Sequence, residues 1–196
     1  ELYWLVDPLD GTVEFIKGNN EFTVNIALMQ NNRSVAAAVY VPYLEKLYLA
    51  WLGGGAYLKQ NVAPRADAEF TYDQIREGLQ RLPLETTRHD RPRVAVSRSH
   101  QSPETAEFVA GLRAKCPDLE IVEQGSSYKF CMLAEGDVDF YVRTTPTYEW
   151  DTAAGELILS EAGGETLSLP DNRPLQYNKA DLQNPWFVCR GKNSPF

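Results

Sequence analysis

Two carboxylates stand three residues apart near the beginning of the chain, in the segment Asp7-Pro8-Leu9-Asp10-Gly11-Thr12. The proline stiffens the backbone between them, so both side chains can be directed at one point. Oxygen ligands of this kind suit Mg²⁺, and the glycine permits a tight turn into a short helix from Val13 to Lys17. Backbone N–H groups at the start of that helix favour an anion. The segment therefore predicts a place where metal and phosphate meet.

A third carboxylate, Asp151, lies in the segment Trp150-Asp151-Thr152-Ala153-Ala154-Gly155, whose small residues let a helix start pack closely against its neighbours. Taken alone, an Asp-Gly pair is more often an ordinary turn, and a single Asp at a helix start is more often an N-cap than a metal ligand. The complete first segment reverses the preference for a plain turn. Asp151 gains its weight as a ligand from that first segment.

Together these two segments resemble the inositol monophosphatase superfamily of Mg²⁺-dependent, lithium-sensitive phosphatases. Further strings look like its CysQ-type 3′(2′),5′-bisphosphate nucleotidase branch: Glu14-Phe15-Ile16-Lys17, Glu21-Phe22-Thr23-Val24-Asn25-Ile26-Ala27, Ser97-Arg98-Ser99-His100 and Gly125-Ser126-Ser127-Tyr128-Lys129-Phe130-Cys131. The resemblance covers most of the chain and is weakest from Lys59 to Arg91.

The resemblance implies a catalytic set of Asp7, Asp10, Thr12 and Asp151. Asp7 would bridge two Mg²⁺ ions, the Leu9 carbonyl would complete the first metal site, and Asp10 with Asp151 would hold the second. One ion would lower the pKa of its water while the other neutralises the leaving oxygen during in-line displacement. Thr12 would orient the attacking water.

In the family, a Glu from an upstream Glu-Glu motif assists that threonine, and this sequence contains no Glu-Glu pair. We therefore expect a substantial part of the protein to lie upstream of Glu1. On the same ground we expect these residues alone to bind Mg²⁺ weakly and to turn over poorly.

For the second phosphate of a nucleotide, the resemblance points to basic and hydroxyl side chains in separate loops. The implied substrate-binding residues are Gly11, Thr12, His100, Ser126, Lys129 and Arg143. Lysine and arginine hold phosphate through charge-assisted hydrogen bonds. On composition alone, Lys129 and Arg143 are more often solvated surface charges and His100 is more often a plain loop residue. Their coincidence with the nucleotidase-like strings favours binding.

The implied reaction is hydrolysis of the 3′-phosphate of adenosine 3′,5′-bisphosphate to AMP and phosphate, which clears a by-product of sulfate assimilation. Two alternatives stay open at this point. One is an inositol or sugar monophosphatase that uses the same metals. The other is a catalytically inactive nucleotide- or metal-binding fragment, which the missing upstream Glu suggests.

The elements that position these residues begin with an antiparallel region. Leu2 to Val6 has the composition of the middle of a buried strand, which Pro8 ends because it lacks a backbone donor. Glu21 to Gln30 alternates with period two, which predicts a strand with one clearly apolar face. Val35–Val41 and Lys46–Trp51 continue the pattern, so this part predicts an antiparallel meander.

Residues 59–92 are polar and carry three prolines, with one weak helical stretch from about Tyr72 to Leu82. Strands and helices alternate beyond it, which predicts a parallel, two-sided sheet. The predicted elements are strands Arg93–Ser97, Glu120–Val122, Phe140–Arg143 and Trp186–Cys189, and helices Pro103–Lys115, Ser126–Ala134 and Thr152–Ala162. We expect a layered α/β architecture of the α+β sugar-phosphatase type. In it, residues 1–88 form the C-terminal part of an N-terminal α+β metal-binding domain, residues 89–196 form a smaller α/β domain, and the active site lies between them.

Composition sets the remaining limits. The chain has 196 residues, 43% of them hydrophobic and 23% charged, which is ordinary globular usage and excludes a disordered or low-complexity protein. Its formal net charge of −8 and lack of a long basic run argue against a nucleic-acid partner. No apolar run approaches the roughly 20 residues of a membrane span. We expect a cytoplasmic, monomeric protein that acts on a small molecule.

Overall fold

The computed structural model describes residues 1–64, 71–84 and 89–195. Two β-sheets form the framework of this part of the chain. The first sheet has six strands that follow one another in chain order and pair antiparallel throughout. Its strands are β1 (Leu2–Asp10), β2 (Thr23–Gln30), β3 (Arg33–Val41), β4 (Lys46–Trp51), β5 (Gly55–Lys59) and β6 (Gln80–Arg81). The predicted antiparallel meander is confirmed, and two further strands extend it.

The second sheet has five strands in the order β10-β11-β9-β7-β8. They are β7 (Arg93–Ser97), β8 (Glu120–Gln124), β9 (Phe140–Arg143), β10 (Glu165–Ser168) and β11 (Phe187–Arg190). Strand β7 pairs parallel with β8 and β9, whereas β11 runs antiparallel to both β9 and β10. The prediction of a purely parallel sheet is therefore wrong for one edge. Helix α5 (Glu149–Glu161) leads from β9 to β10, and the chain then returns as β11 between these two strands without a further helix, as an antiparallel pair permits.

Helices α4 (Tyr128–Glu135) and α5 (Glu149–Glu161) lie between the two sheets, and α3 (Pro103–Lys115) covers the opposite face of the second sheet. One core joins both halves: Tyr48 of the first sheet, Phe130 and Ile158 of the helices, and Phe187 of the second sheet belong to the same buried cluster. The layered α/β architecture is thus confirmed. The predicted domain boundary at residue 88 lies outside the described residues.

The outward face of the first sheet is apolar and exposed. Leu2, Trp4 and Val6 are exposed, Trp4 with 64% of its surface, so β1 is not the middle of a buried strand. In β2, the apolar side of the alternation also faces outward, with Ile26 beside Val6. The buried side chains of β2 are Thr23, Asn25, Ala27 and Met29. The inner face therefore carries polar groups at one end.

Three local departures from the predicted elements have simple causes. Strand β1 continues past Pro8 to Asp10, because an irregularity in its pairing with β2 absorbs the proline. The stretch from Tyr72 to Leu82 is a short helix, α2 (Tyr72–Arg76), followed by β6, since Gly78 adopts a left-handed conformation between them. Helix α5 starts three residues before its predicted beginning.

The remaining short helices are α1 (Thr12–Lys17) and a 3₁₀ turn at Pro42–Leu44. Within the described ranges, no helix is both long and apolar enough to cross a membrane.

Candidate active site

A cavity of about 240 Å³ opens where β1, β7 and β9 end and where α1, α4 and α5 begin. Most of the predicted site residues line it. They are Asp10, Gly11, Thr12, His100, Ser126, Lys129, Arg143 and Asp151. Asp7 and Leu9 are outside this lining, directly before Asp10 on β1. The topology thus gathers side chains that are more than 140 residues apart in the sequence.

Three carboxylates converge at one end of this cavity. Oxygen atoms of Asp7, Asp10 and Asp151 all lie within 4.8 Å of one another. Side chains three residues apart face opposite sides of a regular strand, and the pairing irregularity between Asp7 and Asp10 lets both reach the same side. Asp151 comes from the first turn of α5, where its Oδ2 accepts a hydrogen bond of 2.8 Å from the Tyr148 N–H.

The acidic cluster is short of positive charge. Burial, and next the negative charge of Asp10, raise the pKa of Asp151 above its usual range. Burial also raises the pKa of Asp7, although the Leu9 N–H, 3.0 Å from Asp7 Oδ1, works in the opposite direction. Carboxylates that destabilise one another's charged forms are stabilised by a cation between them. A donor set made only of oxygens fits a hard divalent ion such as Mg²⁺.

Buried polar groups orient Asp10. Its Oδ2 accepts hydrogen bonds from the Ser127 N–H at 2.5 Å, the Thr23 hydroxyl at 3.3 Å and the Asn25 amide at 3.5 Å. The Ser127 hydroxyl in turn contacts Thr23 Oγ1 at 2.8 Å and Asn25 Oδ1 at 2.7 Å. Sequence reasoning assigned no role to these three residues. The sequence shows only that Thr23 and Asn25 alternate with apolar residues along β2, which does not tell which side faces the core.

Basic side chains line the same cavity, and we call Lys129, Arg143 and His100 its basic end, as opposed to the acidic end formed by Asp7, Asp10 and Asp151. Lys129 is only 2% exposed, its Nζ donates to the carbonyls of Gln124 (3.0 Å) and Ser126 (2.5 Å), and it lies 5.1 Å from the centre of the Tyr141 ring. Burial, followed by the positive charge of Arg143, lowers the pKa of Lys129 to about 7. The sequence-based alternative of a solvated surface lysine is therefore wrong.

Arg143 and His100 complete this region, and Arg143 carries the permanent charge. Arg143 is 9% exposed, and its guanidinium donates to the carbonyls of Thr145 at 3.2 Å and Pro146 at 3.1 Å. His100 is exposed at the rim, and burial of part of its ring, with Arg143 nearby, lowers its pKa. Two cations that repel each other at a cavity wall create a position that favours an anion.

The loop between β8 and α4 is held from both sides. Glu21 Oε2 accepts a hydrogen bond of 2.8 Å from the Gly125 N–H, and Glu21 also pairs with Arg98 at 2.9 Å. Ser126 is held in the left-handed region, with φ of 54°, a conformation that costs energy for a non-glycine residue. The glycine is required here, because a Cβ at position 125 would lie 2.6 Å from Glu14 Cγ. Sequence reasoning did not identify Glu21 or Arg98 as part of the site.

Thr12 is exposed at the mouth of the cavity, and its hydroxyl donates to the Leu9 carbonyl at 3.1 Å. The predicted water-orienting hydroxyl therefore lies beside the predicted carbonyl ligand. Gly11 precedes it with φ of 88°, and a Cβ there would lie 2.7 Å from the Glu21 carbonyl oxygen. The site thus needs glycine at position 11 for its conformation and for space.

Residues 1–189 match the family described as the inositol monophosphatase family. The chain is 42% identical to the 3′(2′),5′-bisphosphate nucleotidase CysQ of Salmonella typhimurium and 38% identical to that of Escherichia coli K12, each over 186 residues. Each alignment covers 94% of this chain and 66% of the relative. The chain therefore spans slightly less than two thirds of the length of these curated relatives.

A solved structure agrees with this likeness. The crystal structure of CysQ from Bacteroides thetaiotaomicron, described as a bacterial member of the inositol monophosphatase family, superposes with a TM-score of 0.89 at 46% sequence identity. The match covers 98% of this chain and 71% of that protein.

Proposed function

The chain belongs to the inositol monophosphatase family, and we propose on that premise that it hydrolyses the 3′-phosphate of adenosine 3′,5′-bisphosphate, releasing AMP and phosphate. One observation carries the proposal: converging carboxylates and the buried side chains of Lys129 and Arg143 meet at a single cavity. A substrate with two phosphates meets both ends at once. One phosphate would lie against the acidic end through divalent ions, and the other would contact the cations directly.

For the cofactor we propose Mg²⁺, held by Asp7, Asp10 and Asp151 with the Leu9 carbonyl as a further ligand. When bound, such ions neutralise phosphoryl oxygens and lower the pKa of water. The protein's own part is positional. The hydrogen bonds from Ser127, Thr23 and Asn25 occupy Asp10 Oδ2, which fixes the carboxylate plane and leaves Oδ1 for a metal.

Thr12 would orient the water that attacks phosphorus, because its hydroxyl lies at the cavity mouth beside the acidic end. The alcohol oxygen of the sugar leaves on the far side of the phosphoryl group in an in-line displacement. The attacking water would lose a proton to solvent, and the leaving oxygen would take up a proton from solvent water as its bond to phosphorus breaks.

The second phosphate would bind at the basic end. An ammonium group has three donors, and Lys129 uses two of them on backbone carbonyls, which fixes the direction of the third. Arg143 is fixed in the same way by Thr145 and Pro146. Donors fixed by backbone contacts lose little freedom when a ligand binds, so the binding energy is not spent on ordering them.

A phosphate-release assay tests the proposal. The substrates are adenosine 3′,5′-bisphosphate, AMP, inositol 1-phosphate and fructose 1,6-bisphosphate, each with Mg²⁺ and with excess EDTA. We expect release from the nucleotide bisphosphate that requires Mg²⁺ and exceeds release from the other three compounds.

Preference for inositol 1-phosphate or the sugar bisphosphate would instead indicate an inositol or sugar phosphatase. Calorimetry on the same samples detects the remaining alternative. Tight nucleotide binding without phosphate release from any substrate would indicate an inactive binding module and contradict the proposal.

A further inference from the structure

Glu14 is a buried carboxylate that the proposed reaction does not use. It lies on α1 and lines the cavity, yet only 2% of its surface is exposed. Its Oε1 is fully buried and has no hydrogen-bond partner among the described residues. Burying a carboxylate without a partner costs free energy, and buried polar groups in folded proteins normally have a hydrogen-bond partner. The missing partner is therefore expected to arrive with a ligand.

The position of this side chain is fixed by its surroundings. Its Cγ packs against Gly125, where a Cβ would be only 2.6 Å away. The helix that carries it is anchored by the Asn19 N–H, which donates to the Glu14 carbonyl at 3.0 Å, and by an edge-to-face contact of 5.0 Å between the rings of Phe15 and Phe22. Glu14 cannot easily turn away to solvent, so it meets whatever fills the cavity.

The charges around Glu14 restrict the nature of the partner. The side chains on which its negative charge acts are basic: the charge of Glu14 works to raise the pKa of Lys129, His100 and Arg98. Those cations disfavour a metal ion at this point, and a single carboxylate offers too few oxygens to hold one. A phosphate placed directly against Glu14 would be repelled. A neutral group with an O–H or N–H remains, since it can donate without adding charge.

We propose that Glu14 accepts a hydrogen bond from a neutral donor of the substrate bound in the cavity. The inference rests on the proposed nucleotide substrate, which offers such donors in the ribose hydroxyl beside its 3′-phosphate and in the amino group of the base. Glu14 then determines specificity in two ways. It strengthens the binding of a ligand that has this donor, and it weakens the binding of a ligand that carries a further phosphate in the same place.

The test compares three ligands that differ by one donor. They are adenosine 3′,5′-bisphosphate, its 2′-deoxy analogue, which lacks the hydroxyl, and inosine 3′,5′-bisphosphate, which lacks the amino group. Dissociation constants are measured by calorimetry in EDTA, where no turnover occurs, and kcat/KM is measured in Mg²⁺. The proteins are the unaltered chain, Glu14→Ala and Glu14→Gln, with Glu107→Ala on the exposed side of α3 as the matched control.

We expect the unaltered chain and the control to bind one analogue roughly 10-fold to 100-fold more weakly than the parent ligand, as for a hydrogen bond to a charged group. The analogue that is affected identifies the donor as hydroxyl or amino. Glu14→Ala should bind the parent ligand and that analogue equally. Glu14→Gln keeps a carbonyl acceptor and should retain part of the discrimination, which separates recognition from misfolding.

Equal binding of all three ligands by the unaltered chain would overturn the proposal, and so would full discrimination by Glu14→Ala. Failure of the proposed function has a different signature. In that case the unaltered chain does not bind the nucleotides and hydrolyses inositol 1-phosphate. The role of Glu14 is then tested by comparing inositol 1-phosphate with the analogue that lacks the hydroxyl next to its phosphate. A chain that binds none of these phosphate esters refutes both proposals.

Discussion

The two ends of the cavity face the same electrostatic problem with opposite signs. At the acidic end, burial and Asp10 raise the pKa of Asp151; at the basic end, burial and Arg143 lower the pKa of Lys129 to about 7. In both places the charged form is disfavoured until a counter-charge arrives. The difference lies in the source of that charge. The acidic end needs a separate cation, whereas the anion for the basic end can be part of the substrate.

Removing one carboxylate should have the largest effect, because it breaks the acidic end and leaves the basic end intact. We expect Asp151→Asn to lower Mg²⁺-dependent phosphate release by about 10³-fold or more, since metal-held charge neutralisation supplies several kcal/mol to such reactions. Without Mg²⁺, the variant should melt at the same or a higher temperature, because a repulsive charge is gone.

Steady-state assays over a Mg²⁺ titration and thermal melts measure these outcomes. Asp171→Asn, at an exposed position, is the control. Activity of Asp151→Asn within tenfold of the unaltered chain would show that the acidic cluster does not drive the reaction.

Breaking the basic end should change specificity more than chemistry. We expect Lys129→Ala to raise KM for adenosine 3′,5′-bisphosphate by roughly 10-fold to 100-fold, the range of a lost charge-assisted hydrogen bond, while KM for a plain monophosphate stays nearly constant. Lys115→Ala, on the exposed end of α3, serves as control. Equal losses on both substrates would contradict the assignment of a second phosphate to this end.

The pH dependence of binding should sharpen the comparison. The charged groups that act on Lys129 are Arg143, Asp10, Glu14 and Glu21, and their balance with burial leaves its pKa at about 7. Lysine binds phosphate when protonated, so affinity for AMP should fall as pH rises through about 7, by up to about tenfold per unit. Lys129→Met removes the Lys129 part of this dependence and leaves the titration of the phosphate, of Asp151 and of His100. Calorimetry from pH 6 to 8.5 compares the two proteins.

The lowered pKa of Lys129 affects ligand binding and folding stability in opposite directions. Affinity for phosphate falls as pH rises, whereas the contribution of this group to the stability of the ligand-free protein increases. An unfolded lysine keeps its ordinary pKa near about 10.4, so between about pH 7 and 10 the unfolded state holds more protons than the folded one. The contribution of this group to the free energy of unfolding therefore rises with pH across that window. A Lys129 contribution that falls over this range, obtained from the difference between the unaltered chain and Lys129→Met in urea, would contradict the lowered pKa.

The smallest effect should come from the link that holds the loop beside the basic end. Glu21→Gln keeps an oxygen for the Gly125 N–H but loses the charge that pairs with Arg98, a side chain that is 39% exposed. Exposed ion pairs contribute about 0–1 kcal/mol. We expect KM for the bisphosphate to rise by no more than about fivefold and the Mg²⁺ dependence to be unchanged. A shifted Mg²⁺ midpoint would contradict the assignment of Glu21 to the basic end.

Sequence reasoning went furthest where short segments carry the chemistry. The carboxylates of Asp7, Asp10 and Asp151 were predicted to converge, and the structure brings them within 4.8 Å. The sequence does not predict the irregular pairing of β1 that makes this convergence possible, because backbone irregularity depends on the partner strand. The burial of Lys129 was missed because the sequence pattern does not show that its side chain turns back onto the carbonyls of Gln124 and Ser126 and lies beside the Tyr141 ring.

The pattern of β2 shows a second limit. Period-two alternation correctly predicts a strand, yet it does not say which side faces the core. The apolar side, with Ile26, lies outward, and the buried side carries Thr23 and Asn25 because Asp10 needs donors there. Strand β10 was missed since it has only four residues and pairs with β11 alone. Both errors concern tertiary partners rather than local preference.

The outward row of Leu2, Trp4 and Val6 on a sheet-edge strand has a consequence for handling in the laboratory. Apolar area in contact with water costs about 25 cal/mol per Å², so these side chains favour association of the molecule through this face. The net charge of −8 keeps copies apart at low ionic strength. Sulfate salts screen that repulsion and strengthen apolar contact. Salting-out should therefore begin early, and a mild detergent that wets this side should delay it.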